Sequence, residues 1–314
     1  MKKVIQFDQV EKRYPDGTQA VQKLDLTIEK GEFFVLIGPS GCGKTTTLKM
    51  INRLIPISDG TLRIDGKKIS EFDIHELRWN IGYVLQQIAL FPHMTIAENI
   101  AVVPEMRKWS REKISRRVDE LLEMVGLEPA VYRNRKPSEL SGGQQQRIGV
   151  VRALAADPEV VLMDEPFSAL DPISREKLQD DLLELQRKIK KTIVFVTHDM
   201  KEAIKLGDRI CLMKDGRVVQ IGTPAHIMSQ PANEFVESFI GTHSEKENRP
   251  VRDVVAAFPA KAAEGRRIES METVAAALSL LAEEDTLMVY ENGQAIGAIT
   301  HRTIVQFLGR EVQV

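Results

Sequence analysis

Apolar and polar residues alternate along the chain with periods that predict both strands and helices. Residues 1–30 follow a period of two, which predicts short antiparallel strands. A continuous apolar run at residues 33–37 is typical of a strand that is buried on both faces of a parallel sheet. Between this run and residue 212, apolar runs alternate with helical patterns. We therefore expect a mostly parallel sheet with helices on both faces.

The predicted helices of this region have recognisable ends. Residues 110–126 form an amphipathic pattern that begins after Ser110, a residue type favoured as an N-cap, and ends at Gly126. The pair Asp215-Gly216 predicts a hairpin turn. The other predicted elements are helices from about residue 45, from Ser141 to residue 157 and from 174 to 190, and strands at 160–163, 192–196, 210–213 and 218–221.

The pattern changes near residue 241. Residues 241–250 show no core pattern and predict a polar linker. Residues 251–314 predict a small α/β unit, with helices at 273–282 and 303–308 and strands at 286–290 and 295–300. The sequence thus predicts a large domain over residues 1–240, a linker over 241–250 and a small unit over 251–314.

Composition limits the classes of protein that fit. The 314 residues include 43 Lys+Arg and 45 Asp+Glu, a net charge of -2, and 43% are hydrophobic. This balance is that of a folded globular protein and argues against a general nucleic-acid binder. No stretch approaches the roughly 20 apolar residues of a membrane span, and the N-terminus lacks the apolar region of a signal peptide. Two cysteines exclude a disulfide scaffold or a Cys-rich zinc site, and they suit a reducing cytosol.

A glycine-rich motif follows the apolar run. Residues 38–45 read GPSGCGKT and match G-x-x-x-x-G-K-[ST] between a predicted strand and a predicted helix. Such a loop turns backbone N–H groups toward phosphate oxygens, while Lys44 reaches the β and γ phosphates and the Thr45 hydroxyl can bind Mg²⁺. The predicted ATP-binding residues of this segment are Gly38, Pro39, Ser40, Gly41, Cys42, Gly43, Lys44, Thr45 and Thr46.

Two carboxylates stand at the end of a later apolar strand. Asp164 and Glu165 follow the run at residues 160–163 and precede Pro166. In P-loop enzymes this position carries the magnesium chemistry. We expect Asp164 to hold the metal, directly or through water, and Glu165 to act as the general base toward the attacking water.

A second anion-binding sequence opens a later helix. Residues 140–147 read LSGGQQQR, which offers a serine hydroxyl, two glycine amides and a helix N-terminus. The P-loop already provides one phosphate site, so this second site makes sense if it serves the nucleotide held by another copy of the chain. Two copies, head to tail, would then enclose two ATP molecules.

With these motifs, residues 1 to about 240 resemble the ATP-binding cassette (ABC) ATPases. The resemblance implies a RecA-like P-loop NTPase cassette of the α/β class, with an antiparallel β subdomain, an α-helical subdomain, and ATP and Mg²⁺ at the site. It also implies roles for individual residues. Tyr14 would stack on adenine, Gln86 would be the Q-loop glutamine that senses Mg²⁺ and the permease, with Gln87 as the alternative, and His198 would contact the γ-phosphate.

The remaining implied roles follow the same motifs. Ser141, Gly142, Gly143 and Gln144 would form the signature that acts on the partner's nucleotide, and Asp171 would belong to the D-loop. The expected metal ligands are Thr45, Gln86 and Asp164, and the expected catalytic residues are Lys44, Gln86, Glu165 and His198.

Finer similarity indicates the kind of transporter. Residues 46–55 and 91–100 most resemble ATPases of importers for quaternary amine osmoprotectants of the glycine betaine, choline and carnitine type. Because the chain holds one cassette and no span, the resemblance implies a homodimer working with separate transmembrane permease subunits and an extracytoplasmic substrate-binding protein. Its place would be the cytoplasmic face of the inner membrane. The alternatives are an importer ATPase for a polyamine, an amino acid or a sugar, and an ABC ATPase without a permease.

The end of the chain resembles a single CBS motif, a regulatory module that normally works in pairs. The resemblance is carried by residues 251–255, 273–278 and 297–300, and it implies a small α/β CBS-like unit. Two such units, paired across the dimer, would complete a module that senses ionic strength or a cytosolic ligand. Thr303 stands where the motif usually has a ribose-binding aspartate. A small dimerisation or packing appendage is the alternative interpretation.

Overall fold

Three β-sheets organise the residues that the structure describes. The structure is a computed structural model, and it describes residues 2–168, 170, 172–258, 265–281, 284–300, 302–304 and 307. The strands, in chain order, are β1 (Lys3–Arg13), β2 (Gln19–Glu29), β3 (Phe33–Ile37), β4 (Asp59–Ile64), β5 (Lys67–Lys68), β6 (Ile81–Val84), β7 (Val160–Asp164), β8 (Thr192–Thr197), β9 (Arg209–Lys214), β10 (Arg217–Gly222), β11 (Arg266–Glu269), β12 (Thr286–Glu291) and β13 (Gln294–Thr300).

The α-helices are α1 (Lys44–Ile51), α2 (Ile74–Trp79), α3 (Ile96–Met106), α4 (Arg111–Met124), α5 (Pro129–Tyr132), α6 (Gly142–Leu154), α7 (Pro172–Ile189), α8 (Met200–Leu206), α9 (Pro224–Ser229), α10 (Glu234–Asn248), α11 (Val251–Ala257) and α12 (Val274–Leu280). The chain divides into two compact units, the first from Met1–Leu170 and Arg175–Val236, the second mainly from Glu237–Val314. No helix in the described part of the chain is long and apolar enough to cross a membrane.

The first sheet of the larger unit is antiparallel, with the strand order β2-β1-β4-β5. The predicted antiparallel strands of residues 1–30 are therefore confirmed, although β1 and β2 are each 11 residues long rather than short. Register shifts interrupt their pairing, and Gln9 and Lys23 adopt positive φ. These irregularities let two long strands bend while their apolar side chains stay in the core.

The second sheet has the order β10-β9-β3-β8-β7-β6 and is parallel except for the edge strand β10. Every residue of β3, β7 and β8 is buried, as the continuous apolar runs predict. The register pairs Ile37 with Thr197, and Asp164 with Val196. The loops after β3, β7 and β8 therefore leave the sheet at one edge, which is where an open α/β sheet carries its ligand site.

Helices α3, α4 and α6 pack against one another, and α5 packs on α4. This group matches the expected α-helical subdomain. The predicted helix at 110–126 is confirmed as α4, where the Ser110 hydroxyl accepts a hydrogen bond from the Lys113 backbone N–H at 3.3 Å. Its buried stripe consists of Val118, Leu121 and Leu122, which fixes the face that α4 turns toward its neighbours.

The smaller unit has a sheet in which β11 is parallel to β12, and β12 is antiparallel to β13. A core of its own includes Val254, Val274, Val289 and Ile299, all fully buried. The strands expected at 286–290 and 295–300 are present as β12 and β13. The helix predicted at 303–308 falls largely outside the described residues. The pattern did not predict β11.

Most of the segment that the sequence predicts as a polar linker is helical. Its residues 241–248 belong to α10. Their composition is polar, but the segment contains no proline before Pro250, so nothing in it prevents the helix from continuing. The compact units part between Val236 and Glu237, a few residues before the limit at residue 240 that the sequence predicts.

Candidate active site

The glycine-rich loop runs from the end of β3 to the start of α1, and two glycines are required by close approaches of other strands. A Cβ on Gly38 would lie 2.1 Å from the Met213 carbonyl oxygen, and one on Gly43 would lie 2.3 Å from the Ala20 carbonyl oxygen. Gly43 also has a φ of 100° and is the N-cap residue that directly precedes α1. A larger residue at either place would push the loop away from the sheet. The loop is thus held between β2 and β9, with the N-terminus of α1 opening beyond it.

Lys44 lies with its side chain along this loop. Its Nζ donates to the carbonyl oxygens of Gly38, at 2.7 Å, and Pro39, at 2.9 Å. The residue is only 6% exposed. A buried ammonium group needs acceptors or anions around it, so Lys44 supplies a fixed positive charge beside the backbone N–H groups of the loop.

Thr45 meets the carboxylate at the end of β7. Its hydroxyl donates to Asp164 Oδ1 at 2.7 Å, and the Tyr83 hydroxyl donates to Asp164 Oδ2 at 3.3 Å. Burial raises the pKa of the Tyr83 phenol, so this hydroxyl keeps its proton and remains a donor. Asp164 is buried and is held in place from both sides.

A hydroxyl and a carboxylate are the hard oxygen donors that Mg²⁺ prefers, so the pair Thr45 and Asp164 fits this metal. Among the described residues no group of three or more His, Cys, Asp or Glu side chains could hold a metal ion. A site with few protein ligands is typical of magnesium that is held chiefly by phosphates and water. The donor set therefore suits a nucleotide-bound Mg²⁺ rather than a metal that the protein binds alone.

Glu165 follows Asp164 and turns out of the sheet. It adopts a φ of 45°, an unusual value for a residue with a side chain, and its N–H donates to the Val196 carbonyl at 3.0 Å. Its Oε2 accepts a hydrogen bond from Gln86 Nε2 at 3.3 Å and lies 3.2 Å from His198 Nδ1. The structure thus brings together three residues that come from the ends of β6, β7 and β8.

The charges of Glu165 and His198 support each other. The hydrogen bond with His198 lowers the pKa of the Glu165 carboxyl, and the same contact raises the pKa of the His198 imidazole. The His198 side chain is 62% exposed and that of Glu165 is 20% exposed. Glu165 is therefore an ionised carboxylate at neutral pH, at the border between protein and solvent.

A cleft of about 390 Å³ collects these side chains. Its lining consists of Ser40, Gly41, Cys42, Gly43, Lys44, Thr45, Thr46, Gln86, Glu165 and His198. Gly38 and Pro39 take part through the carbonyl groups that hold Lys44. Of the two candidate glutamines, Gln86 lines the cleft, and Gln87 is not among the described residues that line it. Cys42 is a small buried side chain of the loop, and burial raises the pKa of its thiol.

Two other expected elements lie away from this lining. Tyr14 is half-buried near the end of β1, where the Lys12 ammonium lies 5.0 Å from the centre of its ring. Tyr14 is not among the described residues of the cleft wall. The D-loop residue Asp171 lies outside the described residues. The structure therefore assembles the phosphate end of the predicted site and leaves the adenine contact as an expectation.

The signature sequence opens α6 on the surface. Ser141 is the N-cap: its hydroxyl accepts from the Gln144 N–H at 3.3 Å, and Gln144 Oε1 accepts from the Ser141 N–H at 2.9 Å. The Tyr132 hydroxyl accepts a bond from Gln144 Nε2 at 3.2 Å. Ser141 and Gly142 are exposed, and the four signature residues are not among the described residues that line the cleft. The start of α6 is thus open to a molecule outside this chain.

Several residues that support the site escaped the motif-based interpretation. Tyr83 holds Asp164, while Thr197, Glu202 and Arg175 surround the backbone that carries His198. Tyr83 is the residue of β6 whose side chain carries a polar group, and this could have singled it out. Glu202, four residues after His198, could have been noticed as a carboxylate one helical turn into α8. Nothing in the sequence pattern joins Arg175 to either residue.

The chain is similar in sequence to known transport ATP-binding proteins. Residues 21–168 match the sequence profile of a family described as "ABC transporter". The chain is 60% identical over 247 residues to the "Glycine betaine/carnitine/choline transport ATP-binding protein OpuCA" of Bacillus subtilis (strain 168), and the match covers 79% of this chain and 65% of that relative. It is 51% identical over 295 residues to the "Carnitine transport ATP-binding protein OpuCA" of Listeria monocytogenes serotype 1/2a (strain 10403S), covering 93% of this chain and 74% of the relative.

A solved structure shows the same fold. It is described as "Dimeric structure of a post-hydrolysis state of the ATP-binding cassette MJ0796 bound to ADP and Pi". It superposes with a TM-score of 0.62 at 38% sequence identity, over 70% of this chain and 98% of that one. Since the Bacillus relative is matched over only 65% of its length, the comparison covers less than the whole of that protein.

Proposed function

This chain belongs to the family of ABC transporter ATP-binding proteins, and we propose that it hydrolyses ATP to power the import of a quaternary amine osmoprotectant. The observation that carries the proposal is the meeting of Lys44, the pair Thr45 and Asp164, and Glu165 at one edge of the parallel sheet. These groups are a phosphate-binding cation, a magnesium-binding oxygen pair and a base. Such a set serves phosphoryl transfer to water.

Each residue of the cleft has a task in this reaction. Lys44 and the loop N–H groups bind the β and γ phosphates, because they present positive charge in a partly buried site. Thr45 and Asp164, with Gln86 nearby, would hold Mg²⁺, which when bound neutralises phosphate charge. Glu165 orients the attacking water and accepts its proton. His198 donates a hydrogen bond to the γ-phosphate and steadies Glu165 at the same time.

The same proposal assigns a partner to the exposed signature. Ser141 and the amides of Gly142 and Gly143 would bind the γ-phosphate of ATP held by a second copy of the chain, since a helix N-terminus attracts anions. The exposure of Ser141 and Gly142 supports this arrangement, as does the dimeric state named for the solved relative. ATP would then close a homodimer around two nucleotides, and hydrolysis would release it.

The transported solute is proposed from the relatives. Those compared above are named for transport of glycine betaine, carnitine and choline, which supports a quaternary amine as the solute. Transport requires separate transmembrane permease subunits and an extracytoplasmic substrate-binding protein. The chain would sit on the cytoplasmic face of the membrane, attached through the permease. Gln86 and the segment that follows it would carry the movement between ATP site and permease.

The smaller unit, residues 251–314 in the sequence-based division, is proposed to regulate this activity. Its mixed three-stranded sheet, with helices α11 and α12, supports the resemblance to one CBS motif. Since such motifs work in pairs, the units of two copies would pair across the dimer and respond to ionic strength or to a cytosolic ligand.

Transport by a reconstituted complex tests the proposal. The chain, its permease and its binding protein are placed in vesicles, and ATP-dependent uptake is measured for betaine, choline, carnitine, a polyamine and a sugar. We expect uptake of one or more quaternary amines and none of the polyamine or sugar. Uptake of only the polyamine or the sugar would contradict the assigned solute. A lack of ATP hydrolysis in the complete complex would contradict the enzymatic assignment.

A further inference from the structure

We propose that Glu202 is a positioning residue for His198, acting through the Thr197 hydroxyl and anchored by Gln179 and Arg175. The proposal rests on ATP hydrolysis at the cleft described above and adds a residue that the motifs do not include. It concerns the backbone that carries His198, which is the junction between β8 and α8.

The central contact is a short hydrogen bond beneath that junction. Glu202, in the first turn of α8, has a side chain that is only 7% exposed. Its Oε2 accepts a hydrogen bond from the Thr197 hydroxyl at 2.6 Å. Thr197 is the last residue of β8 and directly precedes His198, so the contact fixes the end of the strand that carries the histidine.

The Thr197 hydroxyl has a second partner on the other side of His198. It accepts a hydrogen bond from the Asp199 N–H at 3.0 Å. The Asp199 carboxylate in turn caps α8 by accepting from the N–H groups of Lys201, at 2.8 Å, and Glu202, at 3.4 Å. Hydrogen bonds therefore fix both neighbours of His198, and the residue between them has little freedom to turn.

The other oxygen of Glu202 faces two side chains of α7. Gln179 Nε2 donates to Oε1 at 3.4 Å, and Arg175 Nε lies 4.0 Å from the same oxygen. Burial raises the pKa of this carboxyl, which shows that its position is costly for a charge. A carboxylate that is buried among polar side chains indicates more than packing, since apolar residues of similar volume in place of a buried ion pair are often neutral or stabilising.

Arg175 extends the network to the segment that carries Glu165. Its Nη2 donates to the Leu170 carbonyl at 3.3 Å, and its Nη1 lies 3.9 Å from Asp199 Oδ2. In the turns of this segment, the Leu170 N–H donates to the Phe167 carbonyl, and the Ser168 N–H donates to the Glu165 carbonyl. The network therefore contacts both the segment that follows Glu165 and the segment that carries His198. In this position it can fix the distance between the two side chains.

This geometry predicts a specific pattern of kinetics. Loss of the Glu202 carboxylate frees the His198 backbone, and a misplacement of about 1 Å at a reacting group costs on the order of 10²-fold in rate. ATP is bound mainly by the P-loop, so its KM should change little. We expect Glu202→Ala to lower kcat by about 10- to 100-fold. The KM for ATP should change by no more than about twofold in either direction. Thr197→Val, which removes only the hydroxyl, should reproduce most of the effect.

The decisive measurement is a double-mutant cycle on the full chain in its transport complex. Glu202→Ala is introduced into the wild-type protein and into His198→Ala, and kcat is measured for all four. A residue that acts through His198 should have an effect of no more than about twofold once His198 is absent. An equal loss of kcat in both backgrounds, or no loss in the wild type, would overturn the proposal.

Glu32→Gln is the matched control. Glu32 is also a buried carboxylate paired with an arginine, Arg209, at 3.1 Å, but it precedes β3 at the sheet edge opposite the cleft. The Glu32→Gln substitution should leave kcat unchanged if the loss of kcat in Glu202→Ala comes from the network around Glu202. If Glu202→Ala does not fold, Thr197→Val supplies the same cycle, because valine keeps the volume of threonine and removes only the hydroxyl that Glu202 holds.

A second readout separates this inference from the proposed function. Should the wild-type complex lack ATP hydrolysis, the proposed function fails, and the His198 ring is then followed by NMR. In the Thr197→Val variant we expect the pKa of His198 to fall toward its ordinary value, because the contact with Glu165 is loosened. An unchanged His198 titration in that variant would overturn the role of Glu202.

Discussion

Glu165 Oε2 and His198 Nδ1 lie 3.2 Å apart at the ends of two neighbouring strands, β7 and β8. Their closeness follows from the register of the sheet, in which Asp164 is paired with Val196 and the Glu165 N–H donates to the Val196 carbonyl. The two side chains therefore leave the same edge together. The carboxylate and the imidazole form one contacting pair, so a change in one side chain should alter the titration of the other.

The first prediction concerns the titration of His198. Its contact with Glu165 raises its pKa above the ordinary value of 6.5, and the charges of Glu202 and Asp199 act in the same direction. We expect Glu165→Gln to lower the pKa of His198, as measured by NMR of the ring protons across pH 5–9. The signal is assigned by its loss in His198→Gln. A pKa that stays unchanged in Glu165→Gln would contradict the ion pair.

The same shifts set the direction of a pH effect on stability. The raised pKa of His198 adds stability that is complete below pH 6.5 and is lost as the pH rises through the folded-state pKa. The lowered pKa of Glu165 adds stability that is present above 4.5 and is lost as the pH falls through its folded-state pKa. The pair therefore stabilises most between these limits, and solvent screening of the exposed histidine keeps its effect small.

The second prediction tests the base. Glu165→Gln removes the proton acceptor while keeping the size of the side chain, so ATP hydrolysis should fall by about 10²- to 10⁴-fold. ATP binding should persist, because Lys44 and the loop are unchanged. The rate of phosphate release measures hydrolysis, and nucleotide affinity measures ATP binding separately. Glu159→Gln is the control, since Glu159 precedes β7 at the opposite end of the same strand. Hydrolysis at the parent rate in Glu165→Gln would exclude Glu165 as the base.

The third prediction concerns the loop lysine. Lys44→Met removes the charge but keeps an unbranched chain, and a hydrogen bond to a charged group contributes about 1.5–3 kcal/mol. We expect ATP to bind roughly 10- to 100-fold more weakly by fluorescent-nucleotide titration. Lys49→Met, on the last turn of the same helix, should bind ATP normally. Equal affinities in the two variants would show that Lys44 does not contact the phosphates.

The fourth prediction concerns Asn99, a fully buried residue of α3. Its Oδ1 accepts from the Phe91 N–H at 2.8 Å, and its Nδ2 donates to the carbonyl groups of Phe91, Met94 and Thr95 at 3.1, 3.3 and 2.9 Å. The amide thus holds the segment between Gln86 and α3. Asn99→Ala leaves buried backbone groups without partners, which should lower the free energy of unfolding by about 2 kcal/mol or more.

Chemical denaturation measures this effect, with Asn134→Ala as the control. Asn134 is exposed, so its substitution should change the free energy of unfolding by no more than about 0.5 kcal/mol. Similar losses in the two variants would show that the buried amide of Asn99 contributes nothing special to the segment.

The fifth prediction tests the smaller unit. A stop codon after Asn248, the last residue of α10, removes the sheet β11-β12-β13 and leaves the ATP site intact. ATP hydrolysis by the transport complex should persist at low salt, while its response to added potassium chloride should be reduced or lost. The rate of ATP hydrolysis is measured from low to high salt for the full-length and the truncated chain. An unchanged salt response would favour the interpretation of this unit as a packing appendage.

Part of the site follows from residues that are contiguous in the chain. The segment from Gly38 to Thr45 forms a loop between a strand and a helix because its glycines, its lysine and its apolar flanks act on their immediate neighbours. Likewise the buried run that ends at Asp164 predicts a strand with acidic residues at its end. Such local patterns predicted the fold class, the order of most elements and the residues that line the cleft.

The contacts between distant segments required the tertiary structure. The pairing of Glu165 with His198, the hold of Tyr83 on Asp164 and the network of Glu202 with Arg175 join residues that no motif connects. A hydrogen bond depends on distances of a few tenths of an ångström, and strand register and helix packing decide these, whereas apolar periodicity does not. The continuation of α10 through a polar segment also required the structure. A run of polar residues predicts exposure to solvent but does not distinguish a helix from a loop. The sequence alone thus determined which reactive side chains the protein has. The packing of the sheet decided which of these side chains lie together in one site.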